Sequence, residues 1–403
     1  MTWIVRGKRL ARAAIAVAGV VTITGCSGRP TESEQIGSVA SAASAASANS
    51  MQSLLDALLL DPTGTVVLTA DLNAAGFAWH LGYFAGTFDG GGHTISNLTT
   101  SDSIGQDAGM FVFATSATIK RLQLVNLRVT GTHGVGGLVG TCGDCTIDSV
   151  AVEGTLNAPN YAGGIVGSMG GGSLTNSYFK GTVTGGSSGA GGLVGLVNSS
   201  GNSGDFAYIE NSYAQAANQT STLVAGSTAS GIHPAGGIVG AGTGVWVQDV
   251  YAIGAVTGRG SSGGLIGRAT CDDPKPWHLY RGIYRGDVTD SNLGNPGGWA
   301  GTAGKASDAN CSDHSGLLYF NKDLDKNTSY FTTNPFVQRA STGAELTAPT
   351  APGSVATGGI FCPVSNTIVT CGDEPITTPP WDFGTSSQNN ILMNMPSTAK
   401  QIR

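Results

Sequence analysis

The sequence predicts an all-β chain wound as a stack of similar coils, a β-solenoid, closed at its N-terminal end by a short helical cap. Three observations predict it. Glycine supplies 63 of 403 residues, while charged residues are only 11% and apolar residues 40%; disorder usually goes with low hydrophobicity and high charge instead. Glycine-rich markers recur at near-constant spacing, the signature of a repeat architecture. Between markers, apolar and polar residues alternate in β-branched company, which is the pattern of strands.

The N-terminus reads as an export signal. Arg6, Lys8, Arg9 and Arg12 form a basic head, and residues 13–23 an apolar stretch. That stretch falls short of the ~20 residues that span a bilayer. Ile23-Thr24-Gly25-Cys26 resembles the lipobox of bacterial lipoproteins, in which the cysteine is acylated, with palmitate among the chains. Residues 1–25 are therefore read as a lipoprotein signal peptide and Cys26 as the lipid attachment site. Cleavage there leaves 16 basic against 26 acidic side chains, a net charge of −10. Nucleic-acid partners need basic patches to replace counterions, so none is expected. The membrane link is expected through the lipid alone.

Residues 26–50 are rich in Ser and Ala and read as a flexible tether. Residues 51–65 follow as the helical cap. MQSLLDALLLD places Leu54, Leu55, Leu58 and Leu59 on one helical face, and Asp61-Pro62 ends it. Such a cap would cover the open edge of the first coil.

The coils are assigned to residues 66–290. The second glycine of each Gly-Gly pair marks them at Gly137, Gly164, Gly192, Gly237 and Gly264, with a degenerate copy at Gly109; the spacings are 28, 27, 28, 45 and 27. A strand-like run opens after each marker, at Ile119, Ile147, Leu174, Ile209, Val247 and Leu279. The marker-to-run distance is 10 in four of the six coils, and the excess elsewhere comes as whole insertions. Coils of one length with bulging loops give this arithmetic. Counted from the opening residue, offsets +3, +5 and +9 are mostly apolar or small and are expected to face the core. AGGIVG, written at 162–167 and again at 235–240, reads as one corner and one short buried strand. Glycine is expected there to permit positive φ and close backbone approach. Ile165 and Ile238 are expected in one interior column.

These segments resemble the GLUG-motif repeats of bacterial surface proteins, which implies a right-handed parallel β-helix. FAGTFDGGGHTI at 84–95 resembles the opening coils of that family, and TGAELTAPTA at 342–351 and PWDFGT at 380–385 its closing segments. The family implies a cell-surface location and adhesin-like roles. Larger members carry a metallopeptidase domain that needs HExxH, which this chain lacks among its six His. Residues 291–390 are assigned to a looped, disulfide-bearing C-terminal part of the solenoid, and 391–403 to a tail.

Six cysteines follow Cys26: Cys142, Cys145, Cys271, Cys311, Cys362 and Cys371. An even count in an exported chain reads as disulfides, although six cysteines allow 15 pairings. Proximity suggests Cys142–Cys145, Cys271–Cys311 and Cys362–Cys371. A redox or metal role for Cys142-Gly-Asp-Cys145 lacks a second CxxC or a thioredoxin-like context.

Parallel β-helices also host polysaccharide-degrading enzymes, so paired carboxylates were sought. Asp148 at offset +1 and Asp249 at +2 are candidates, but these offsets carry assorted polar residues in the other coils, as turn positions do. Asp89 and His93 in FDGGGHTI fall on a turn and read as structural. NKDLDKN at 321–327 places Asp323, Asp325 and Asn327 like the start of a calcium loop, but position six lacks Gly and position twelve is Asn334. No catalytic residue, metal or cofactor is assigned.

Offset +4 carries Gln123, Ala151, Tyr178, Tyr213, Tyr251 and Ile283. Even offsets are expected to face outward, so Tyr178, Tyr213 and Tyr251 would form an aromatic ladder able to stack on sugar rings. The other reading is a packed row under an inserted loop. The sequence thus points to a lipid-anchored envelope protein, at the outer membrane or cell surface. Its roles would be adhesion, binding of a surface glycan or of a receptor on a host or neighbouring cell, or envelope structure. The alternative is a polysaccharide lyase or glycoside hydrolase.

Overall fold

A coil of this chain is set by where its backbone can bend and which side chains then face inward. The computed structural model describes residues 45–101, 107–199, 206–218, 221–227, 231–270 and 278–291, with short strands at 300–302, 314–319, 369–371, 374–376, 381–382 and 391–392. Cys26, the signal segment and the 321–327 loop lie outside the described residues.

Ala46, Val66, Phe88, Ile119, Ile147, Leu174, Ile209, Val247 and Leu279 pair in that order, each in parallel with the next. The expected column of opening residues is therefore real, and from Val66 onward it is almost fully buried. A second column runs through Leu124, Val152, Phe179, Ala214, Ala252 and Tyr284. A third runs through Val129, Leu156, Val183, Val224, Val256 and Val288. The second column is offset +5; the third is offset +9 in four coils, while a bulge moves it to +10 at Val129 and an insertion to +15 at Val224, and both columns belong to one continuous core. Burying each Val, Leu or Ile contributes roughly 1.5–3 kcal/mol. The chain is a parallel β-helix: sheets of 17, eight and five strands run along the stack.

AGGIVG straddles a corner. Tyr161–Gly163 ends a strand of the five-stranded sheet, Gly164 and Ile165 turn, and Val166–Met169 enters the eight-stranded sheet. Ile165 and Ile238 share a column through Leu193: Ile165 N–H donates to Leu193 O, and Leu193 N–H to Ile238 O, both at 2.9 Å. The expectation of positive φ at these glycines is corrected, because none of the marker pairs adopts it. Close approach is the whole reason. A Cβ on Gly164 would fall on Gly192 O and on the Phe179 ring, closer than real Cβ contacts come.

Left-handed backbone sits elsewhere, at offset +2. Arg121, Ser149, Asn176, Asn211 and Asp249 have φ of 53°, 57°, 49°, 51° and 52°. One such residue per coil bends the long strand without a loop, and Asn and Asp tolerate it best.

The helix α1 (Met51–Leu60) is capped by Ser50, whose hydroxyl accepts from Ser53 N–H. Met51, Leu54 and Leu58 join the core, with Leu55 packed against it. Leu59 was expected on this face, but it is 60% exposed. Its direction lies off the narrow stripe of three inward residues. Part of the segment 26–50, expected as a flexible tether, is instead ordered as a strand. Ala46–Ala48 is a strand, β1, paired in parallel with β2 (Thr65–Leu68).

At the other end, parallel stacking continues past residue 290. Ala300–Thr302 pairs with Ile266–Ala269, and His314–Tyr319 with His278–Arg285. Beyond it the described strands pair antiparallel, Val369–Cys371 with Glu374–Ile376 and Trp381–Asp382 with Ile391–Leu392. Those pairs are not solenoid coils, and residues 391 and 392, expected in the tail, form part of one.

Candidate functional site

The +4 row has the register its spacing implies: Gln123, Ala151, Tyr178, Tyr213, Tyr251 and Ile283 pair in sequence. Its expected exposure is overturned. Tyr178, Tyr213 and Tyr251 are 3%, 4% and 0% exposed. Their rings stack face to face at 4.8 Å and 4.7 Å, tilted by only 10° and 6°. The faces between neighbouring rings are covered by each other, and burial closes the row to a sugar. The Tyr178 hydroxyl donates to Glu153 Oε1 at 2.9 Å. Burial, then the neighbouring Glu153 charge, raises its pKa, and burial raises those of Tyr213 and Tyr251. All three stay neutral and act as packing.

The carboxylate candidates do not converge. Asp148 accepts from Thr175 Oγ1 at 2.9 Å and Asn176 Nδ2 at 2.7 Å, both in the next coil. Asp249 is a buried left-handed corner contacted by Gln248 Nε2 at 3.3 Å. The opening residues of their runs, Ile147 and Val247, are three pairings apart, about 14 Å along the stack. Glycoside hydrolysis uses carboxylates roughly 5–10 Å apart.

Asp89 and His93 also serve separate contacts. Asp89 accepts from Gly91 N–H at 2.9 Å and is gripped by Arg121. Burial pushes its pKa up, but the Arg121 hydrogen bonds, the Gly91 N–H and the Arg121 and Lys120 charges outweigh this and hold it below 3.8. His93 Nδ1 lies 3.1 Å from Asp71 Oδ1, one coil back. The Thr94 N–H is the main reason Asp71 is lowered, with burial opposing and His93 adding to it.

Cys142 and Cys145 are fully buried and bonded through sulfur, with Cα atoms 5.8 Å apart. Cys271, Cys311 and Cys362 lie outside the described residues, and Cys371 ends a strand. Among the described residues, no group of three or more His, Cys, Asp or Glu is placed to hold a metal.

Two clusters escaped the sequence reading. Asp107, 3% exposed, accepts from Tyr161 Oη at 2.8 Å, Gly134 N–H at 3.1 Å and the Thr141 hydroxyl; His133 Nδ1 lies 2.7 Å away. The network braces successive coils. The partners of Asp107 lie 26 to 54 residues from it, so no local motif announces it.

The second cluster lies at offset −1, one residue before the opening column. Ser173, Tyr208, Trp246 and His278 pair across successive coils. Tyr208 is 37% exposed, and Trp246 and His278 are half-buried. The Tyr208 and Trp246 rings are 6.2 Å apart and tilted by 38°, while Trp246 and His278 are 4.2 Å apart. Phe206 stands edge-on to Tyr208 and His278, at 6.2 Å and 6.0 Å. The rings at −1 fall just before each apolar opening residue, outside the run whose alternation marks the strand.

The GLUG motif matches residues 158–184. Over 87 residues the chain is 40% identical to halomucin of Haloquadratum walsbyi, covering 21% of this chain and 1% of that protein. Over 266 residues it is 28% identical to an immunoglobulin A1 protease of Streptococcus pneumoniae, covering 60% of this chain and 12% of that protein. Among solved structures, an IgA1 protease aligns with a TM-score of 0.49 at 20% identity, over 68% of this chain and 22% of that one. A candidate immunoglobulin A1 protease from Bacteroides ovatus aligns at 0.44 and 20% identity, over 69% and 75%. The chain spans a small part of the two sequence relatives it matches. It carries the GLUG motif within a parallel β-helix.

Proposed function

We propose that this chain is an exported, lipid-anchored protein of the bacterial envelope whose β-helix acts in binding or adhesion at the cell surface. The observation that carries the reading is the unbroken column of opening residues from Ala46 to Leu279. It makes a stiff stack whose outward rows repeat at one strand spacing, and such a scaffold presents many weak contacts in fixed order. The Ile23-Thr24-Gly25-Cys26 segment and the Ser/Ala tether support display from a membrane. Similarity to parts of a halomucin and of an immunoglobulin A1 protease supports export. In an oxidising compartment Cys142 and Cys145 would persist as a disulfide.

Metabolic labelling with palmitate, combined with adhesion of cells expressing the chain, tests this reading. The wild type should carry label and be cleaved by protease added to intact cells, and Cys26→Ser should lose both. Deletion of the gene should reduce adhesion. An unlabelled wild type with unchanged adhesion on deletion sinks the proposal. Shortening of a polysaccharide by the purified protein would favour the lyase or hydrolase alternative.

A further inference from the structure

We infer that Tyr208, Trp246 and His278, with Phe206 at their side, form a binding platform for a neutral polysaccharide. The inference rests on the surface-binding reading above and names the site and the ligand class.

The platform differs from the buried tyrosine stack in one decisive respect. At 4.7–4.8 Å the tyrosines cover one another's faces. Tyr208 and Trp246 sit on adjacent strands of the same stack, yet their centroids are 6.2 Å apart and splayed by 38°. The splay is confined to the Tyr208 side, where Tyr208 is 37% exposed; on its other side Trp246 lies against His278 at 4.2 Å. Sugar rings present axial C–H groups that pack on aromatic faces.

Trp246 is also held in place. Its Nε1–H donates to Gln248 Oε1 at 3.3 Å, and Gln248 Nε2 donates to Asp249 Oδ2 at 3.3 Å. Asp249 is fixed by its buried left-handed corner. A ring oriented by a polar chain loses little freedom on binding, which favours affinity. The row at offset +1 beside the rings carries Thr175, Glu210 and Gln248, residue types able to hydrogen-bond hydroxyl groups. Successive strands lie about 4.8 Å apart, close to the rise of one hexose in an extended chain.

Charge and area select the occupant. Glu210 stands in the row beside the rings, so an anionic polysaccharide or a nucleic acid would meet a like charge where it needs cations. A protein partner would need roughly 800 Å² of this surface. Partly buried rings of 150–250 Å² each expose well under half of that. A neutral glycan chain needs only a narrow aromatic strip with a hydrogen-bonding border.

The test is affinity electrophoresis and calorimetry of the full-length protein. The probes are laminarin, hydroxyethyl cellulose, yeast mannan and chitohexaose, with alginate as the anionic control. Wild type should bind at least one neutral probe and not alginate. Trp246→Ala and Tyr208→Ala should each weaken that binding at least tenfold, and Trp246→Phe by less than threefold. Tyr208 is the more exposed, so Tyr208→Ala keeps the test open should Trp246→Ala fail to fold. Binding unchanged in a folded Tyr208→Ala overturns the platform. So does a wild type that binds none of the neutral probes. Retained adhesion of cells in that last case would leave the surface-binding reading standing, whereas loss of both would remove the two together.

Discussion

Arg121 grips Asp89 through two hydrogen bonds, Nε to Oδ1 at 2.9 Å and Nη2 to Oδ2 at 2.5 Å, while its own backbone stands in a left-handed corner at φ 53°. One residue both bends its coil and ties it to the coil before. Asp89 has a pKa below 3.8 in the fold. It therefore contributes stability above the unfolded-state value, and that contribution is lost as pH falls through the lower folded-state value. Arg121 is 53% exposed, so solvent screening limits the effect. Asp89→Asn is expected to cost about 1 kcal/mol at pH 7. Thermal melts of both proteins from pH 7 downward should show the gap closing below pH ~4. A gap of constant size would contradict the assignment.

The marker glycines are set by backbone contact. Gly164→Ala should cost about 3 kcal/mol or prevent folding, because its Cβ meets Gly192 O and Phe179. Gly82 has nothing within 4 Å of an added Cβ. Gly82→Ala should be neutral or stabilising by up to ~1 kcal/mol. Circular dichroism melts compare the two.

The left-handed corners make the opposite demand. At Asn211, φ is 51°. Asn211→Val should destabilise by about 1–2 kcal/mol, since a β-branched residue strains there. Asn211→Gly should stay within ~0.5 kcal/mol of wild type. Denaturant midpoints at equal m-value would show it; equal loss in both variants would mean the side chain matters and φ does not.

The buried tyrosine stack should govern stability and leave binding alone. Tyr213→Ala removes the middle ring, stacked on Tyr178 and Tyr251, and should cost about 3–5 kcal/mol. Tyr213→Phe keeps the stack and should cost far less. Where Tyr213→Phe folds, its adhesion should equal wild type.

Asp107 offers a similar contrast. Asp107→Ala strands the Tyr161 hydroxyl, Gly134 N–H and Thr141 hydroxyl that it accepts from. Leaving such a network half-satisfied should cost about 3 kcal/mol. Asp107→Asn keeps one acceptor oxygen and should lose less. Hydrogen exchange at Gly134 should rise more in Asp107→Ala than in Asp107→Asn.

Much of the fold was legible because it is written in one dimension. Ile147, Leu174 and Val247 recur at coil intervals with apolar neighbours at +5 and +9, and a residue at the same phase of each coil must stack. The site was far less legible. The sequence placed Tyr178, Tyr213 and Tyr251 in one row, which is true. Whether water reaches that row depends on ring packing and on everything else laid against it. The Tyr208–Trp246 platform follows the long insertion after Gly195, where coil phase is hardest to count. Asp107 meets Tyr161 across 54 residues, a contact set by stacking and invisible in spacing.

The sequence by itself determined the coil period, the register of the opening, +4 and +5 rows and the positions that need glycine, because each follows from chain length between bends. Only the tertiary structure decided which outward rows are wet. It also decided that marker glycines serve close approach while positive φ falls to polar residues at +2. Period is a property of the chain, but exposure and crowding are properties of neighbours that folding brings from far along it.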